Sequence, residues 1–183
     1  AVLSGTPESD SAALRVGSAD LSGSGYSVSV TGTESIEVIG RGGRDLVSIN
    51  DSAGNDRFTA SPGYAAMTGA GFLLVAKQFE IVHAYARYGG EDVATLNDST
   101  GDDFFVGTTN YGRMIGSGYM LRAKLFESVH AYARSGGTDR ARITGSTSAD
   151  VVISTPSYTR LVASDASIRA KFFDSIDVRG NGG

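Results

Sequence analysis

The chain has 183 residues, with 16 Lys and Arg against 20 Asp and Glu, for a net charge of -4. That length suits one domain or one short repeat array, and no basic stripe marks a nucleic-acid surface. No apolar run approaches the ~18–20 residues needed to cross a membrane, and the absence of cysteine excludes disulfides, thiolate metal sites and cysteine nucleophiles.

Glycine is frequent and proline scarce, at 25 and 3 residues. That balance fits many tight turns between short strands. The chain repeats itself. Residues 44–90 match residues 91–137 without a gap at an offset of 47, with about half the positions identical. Residues 138–183 form a further copy, keeping RAKFFDSIDVRGNGG, and residues 1–43 a diverged one, keeping LSGSGY and ESIEVIGRGG. The chain is therefore a single array, 1–183, of four units of 43–47 residues: 1–43, 44–90, 91–137 and 138–183.

Taken in order, the third unit shows what each should contain. DVATLND alternates Val93 and Thr95 against Ala94 and Leu96, then meets the turn DSTGDD. FFVG follows, then a turn at TTNYG, then RMIGSGYMLRA and FESVHAYA. The last segment sets Val129, Ala131 and Ala133 on one face and His130 and Tyr132 on the other. Period-2 alternation bounded by Gly, Asp and Ser predicts strands, so the fold class is all-β. Only MLRAKLFESV carries some helical character, enough for one turn.

Two architectures suit such a unit. One is a repeat β-solenoid, resembling a parallel β-helix, with two coils per unit. The alternative is a small four-bladed β-propeller, one unit per blade. Small inward residues such as Ala84, Ala86, Ala131 and Ala133 favour stacked coils, and the solenoid is the expected fold.

The acidic turns are the motif with most chemistry. They read GGRD and NDSAGND in the second unit, GGED and NDSTGDD in the third. Asp51, Asp56, Asp98, Asp102 and Asp103 are the candidate ligands for a cation, with Ca²⁺ the only cofactor considered. The same residue types also build turns without metal, through side-chain to backbone hydrogen bonds.

His83 and His130 are the only histidines and occupy equivalent places, where the outer units carry Glu37 and Asp177. The pair is a candidate metal or base site, although carboxylates at the same position suit a merely polar one. Tyr85 and Tyr132 follow two residues later and are candidate platforms for a sugar ring. Lys77, Lys124 and Lys171 recur three residues before Glu80, Glu127 and Asp174, and are expected to offset those charges along the array. Every polar group follows the repeat, so no catalytic constellation stands apart from it.

The turn pattern G-G-x-D-x-A-x-L-x-D-S-x-G-x-D-x-F resembles the nonapeptide of RTX-type calcium-binding β-rolls, which implies Ca²⁺ held between successive coils. The whole unit, through NDSTGDDFF and GSGYMLRAKLFESVHAYARSGG, resembles the tandem repeats of very large secreted bacterial surface proteins. The resemblance implies a non-enzymatic structural module, extracellular or at the cell surface, acting as spacer, adhesive or fibre-forming element. Its partners would be neighbouring repeats or other copies of itself. The alternative it leaves open is a carbohydrate-binding domain or a lyase-like one that cleaves polysaccharide. AVLSG opens in mid-repeat without a signal peptide, so the chain reads as a segment of something longer.

Overall fold

The computed structural model describes residues 1–182, and every regular element among them is a β-strand. The first unit contributes β1 (Val2–Ser4), β2 (Ser11–Arg15), β3 (Ser18–Gly23), β4 (Tyr26–Thr31) and β5 (Ser35–Ile39). The second contributes β6 (Leu46–Asn50), β7 (Arg57–Ser61), β8 (Tyr64–Gly69), β9 (Phe72–Lys77) and β10 (Ile81–Tyr85). The third holds β11 (Val93–Asn97), β12 (Phe104–Thr108), β13 (Tyr111–Gly116), β14 (Tyr119–Lys124) and β15 (Ser128–Tyr132). The fourth holds β16 (Arg140–Thr144), β17 (Val151–Thr155), β18 (Tyr158–Val162), β19 (Ser167–Lys171) and β20 (Ser175–Arg179). MLRAKLFESV is not helical: it splits into the end of β14, a kink at Leu125 and the start of β15.

The strands form two ten-stranded sheets. One runs β1-β5-β9-β8-β7-β11-β15-β19-β18-β17, the other β20-β16-β12-β13-β14-β10-β6-β2-β3-β4. The result is a two-sheet β-solenoid. Each sheet has two distinct ends, so the ring closure of a propeller does not form.

Each unit departs from the expected two coils. Its three middle strands form an antiparallel meander inside one sheet, as β12, β13 and β14 do. Only its first and last strands lie in the opposite sheet. Counting the crossing into the next unit, each repeat crosses between the sheets three times, an odd number, and the next unit starts on the other side. The meanders of units 1 and 3 lie in one sheet, and those of units 2 and 4 in the other. Parallel pairs such as β7 with β11 and β10 with β14 join one unit to the next.

The core lies between the sheets and follows the predicted alternation. Val82, Ala84, Leu96, Phe105, Val129 and Ala131 are all buried. Removing such side chains from water is the main stabilising force. Phe58 packs on Phe126 and Phe105 on Phe173, with ring centroids 6.0 and 6.1 Å apart. Beside Phe105, Gly107 and Gly112 face one another in the β12–β13 pair. A Cβ on either would run into Phe105 or a neighbouring aliphatic side chain, so these glycines make room for the ring.

The crossing from the meander to the opposite sheet uses a left-handed residue. Gln78, Leu125 and Phe172 hold φ of 58°, 68° and 69°, and Gly32 takes the same place in unit 1 at 73°. Each side chain there carries a backbone conformation that normally suits glycine.

Candidate functional site

Two regions carry polar groups in a repeated arrangement: the turn edges and the outer sheet faces. At the edges, every DSxGxD turn stacks on the GGxD turn that opens the following unit. Asp56 donates its N–H to Asp92 Oδ1 at 2.8 Å, and Asp92 in turn donates its own to Glu127 Oε2 at 2.7 Å. Asp10, Asp45 and Glu80 repeat this relay, as do Asp103, Asp139 and Asp174. Glu80, Glu127 and Asp174 thus cap backbone N–H groups and do not pair with the lysines three residues before them. Lys77 reaches instead to Glu37, at 2.7 Å.

The predicted cation ligands are engaged in the same way. Asp51 Oδ2 accepts the N–H groups of Arg87 and Tyr88, and Asp98 accepts the N–H and hydroxyl of Ser135. Asp56 and Asp103 close their own turns on Ser52 and Ser99, and Asp102 accepts from Thr138 N. Asp103 also accepts the Tyr119 hydroxyl at 2.8 Å, as Asp10 does from Tyr26. Burial and these carboxylates push both phenols up, Tyr26 to about 12.

Ca²⁺ needs six to eight oxygens free to face it. Here most of the carboxylate oxygens already face N–H and O–H donors. The half-turn between units also sends the 51–56 and 98–103 turns to opposite edges of the sandwich, so they cannot share an ion between successive coils. Among the described residues no three His, Asp or Glu side chains converge as a metal group. The turns therefore do not fit the implied ion, and their aspartates serve as caps.

The histidines and tyrosines are split by the same half-turn. His83 and Tyr85 lie on β10, His130 and Tyr132 on β15, in opposite sheets. Neither a histidine pair nor a two-tyrosine platform forms. Each His–Tyr set meets instead an arginine of the next unit. Arg122 Nη2 donates to the Tyr85 hydroxyl at 3.1 Å and approaches His83 Nδ1 at 3.4 Å. Arg169 makes the same contacts to Tyr132 and His130, at 2.6 and 3.3 Å. Burial first, and the arginine charge second, hold both imidazoles below the ordinary histidine value, His130 at about 4. Both are therefore neutral at pH 7. Arg87 and Arg134 stack over the two tyrosine rings at 4.1 and 4.3 Å.

The sequence reading missed these arginines. A signal was present, since Arg122 and Arg169 recur at an offset of 47. Their contact with the preceding unit depends on the parallel pairing of β10 with β14 and β15 with β19.

A groove of about 540 Å³ runs along one turn edge, lined in part by Asp56, Asp92, Glu127 and Asp165. The Asp92 and Glu127 carboxylates serve the backbone relay above, and that of Asp56 closes its own turn on Ser52. No family model matches the chain, and no curated protein or solved structure matches it either.

Proposed function

We propose that the chain is a non-enzymatic structural repeat module of an extracellular or cell-surface bacterial protein, working as an extended rod that joins further units of its own kind end to end. One observation carries this reading. Positions wholly buried inside the array are exposed at its two ends. Phe58 and Phe105 are 0% exposed, whereas Val152 at the same position of the outermost strand β17 is 48% exposed. At the other end, Val28 on β4 is 45% exposed where Leu121 is 0%. Open strand edges with apolar inward rows are templates for further pairing.

The internal junctions specify the register of such an association. β10 pairs with β14 through Val82 opposite Leu121 and Ala84 opposite Ala123. The equivalent contact between two molecules sets Ile176 and Val178 of β20 opposite Val28 and Val30 of the second copy's β4. β17 then pairs with the second copy's β1.

Sedimentation velocity over a concentration series tests this. The expected result is growth of species at integer multiples of the monomer. Val28→Asp and Val178→Asp each block it. A monomer at all concentrations for the parent protein overturns the end-to-end reading.

A further inference from the structure

The charges of this acidic chain are segregated. The carboxylates sit mainly at the turns, whereas the outward rows of both sheets carry arginine and lysine. Across one sheet the central outward row reads Asp177, Arg142, Val106, Arg113, Arg122, His83, Ser48, with no carboxylate between Asp177 on β20 and Asp20 on β3. In the other sheet the row reads Glu37, Val75, Ala66, Thr59, Thr95, His130, Arg169, Arg160, Ile153, with no carboxylate beyond Glu37 on β5.

Within these rows, Arg113 lies directly opposite Arg122, and Arg160 directly opposite Arg169. Like charges in directly opposed cross-strand positions are destabilising. Among the described residues none of the four is in an ion pair. The fold does not demand them, because the equivalent pair is Ala66 opposite Val75 in unit 2 and Asp20 opposite Ser29 in unit 1. Nε of Arg113, Arg122 and Arg169 is buried without a partner. Arg113 makes no side-chain hydrogen bond at all, although a guanidinium offers five donors in a planar fork.

We propose that these two arginine pairs are equivalent binding sites, on opposite faces of the rod, for the carboxylate or sulfate groups of an acidic polysaccharide. In one, Arg113 and Arg122 are joined by Lys124, Arg87, His83 and Tyr85. In the other, Arg160 and Arg169 are joined by Lys171, Arg134, His130 and Tyr132. A guanidinium fork matches a planar or tetrahedral oxyanion bidentately. The neutral histidine adds a hydrogen-bonding group without competing for the anion.

A polymer fits better than a small anion, because the sites lie on open sheet faces and repeat along the array. A glycan fits better than a nucleic acid. Duplex DNA presents one charge per ~1.7 Å, and the acidic turn edges flanking each row, including the exposed Glu91 and Asp102, repel so dense a polyanion. A glycan with one charge per sugar passes between them.

Binding is measured by calorimetry at low ionic strength with polygalacturonate for carboxylate, dextran sulfate for sulfate, neutral dextran and a short DNA duplex. Arg113→Ala with Arg122→Val, and Arg160→Ala with Arg169→Val, install the pair that unit 2 already carries. Each double variant is expected to halve the number of sites, and the quadruple variant to weaken binding by about tenfold or more. Which of the two charged glycans binds more tightly identifies the oxyanion. Independently of any variant, proton NMR of the parent protein should show the titration midpoints of both histidines rise when glycan is bound, since an anion offsets the surrounding arginine and lysine charges. Binding no tighter than to neutral dextran overturns the proposal. So does a quadruple variant that binds as well as the parent, or a DNA duplex that binds as tightly as the glycans.

Discussion

Asp56 and Asp92 are 36 residues apart, yet the N–H of one points at a carboxylate oxygen of the other at 2.8 Å, and both are buried. Because Asp56 closes one unit's turn and Asp92 opens the next unit, this bond is one of the polar contacts at the junction between them. The strand pairings of β7 with β11 and β10 with β14 supply the apolar part. A buried N–H left without an acceptor costs about 1–3 kcal/mol. Asp92→Ala should therefore lower stability by about 2–3 kcal/mol in urea unfolding, and Asp92→Asn, which keeps one acceptor oxygen, by less.

The same carboxyl sets a pH dependence. Burial, with the charges of Glu127, Asp56 and Asp51, holds Asp92 at about 6, and Asp45 and Asp139 are raised for the same first reason. In the unfolded chain these groups titrate near about 4. Between those values the folded state binds more protons, so stability rises as the pH falls from about 6.5 toward about 4. Asp92→Asn should flatten that slope when the melting temperature is followed across the window.

A third prediction concerns space. A Cβ on Gly116 would overlap Asp103 Oδ1 and the Tyr119 ring. Gly116→Ala should cost about 3 kcal/mol or more, since it breaks the capped turn as well as overpacking it. Gly118, two residues on, has φ of 77° but open space around it, and its replacement by Ala should cost only about 1 kcal/mol.

At Leu125 the sign reverses. The residue sits at φ 68° and is 42% exposed. A left-handed conformation costs a side-chain-bearing residue about 1–2 kcal/mol, while glycine loses somewhat less through added chain entropy. Leu125→Gly should be neutral or stabilise by about 0.5 kcal/mol, measured as a denaturation midpoint.

For calcium, the expected result is one melting curve. The carboxylates that would bind it already cap backbone N–H groups. An ion that bound the folded state would raise the melting temperature by mass action. Scans in excess chelator and in millimolar Ca²⁺ should superimpose.

The sequence made the repeat, the strands and their inward faces legible because alternation is local: Ala84 and His83 declare opposite sides by adjacency alone. Whether two neighbouring strands pair within a sheet or cross to the other depends on loop length, and that was harder to read. The cue lay in two-residue loops such as Pro62-Gly63, Ala70-Gly71 and Ser117-Gly118, which join hairpin strands. Reading them as hairpins places three strands of each unit in one sheet, and with that His83 and His130 on opposite faces. The roles of Glu80 and Glu127 were not legible, because their partners Asp45 and Asp92 come from the opening turn of the same unit, 35 residues earlier.

The odd number of crossings per unit gives the array a parity. Excising residues 91–137 would join the second unit to the fourth through the same type of junction, but everything downstream would exchange sides. The meander β17–β19 would move to the opposite sheet, and Arg160 and Arg169 to the face that Arg113 and Arg122 occupy now. Excising two units would leave the remainder facing as before. In such an array, units can be gained or lost one at a time without harm to packing, but only in pairs without reversing what each side of the rod displays.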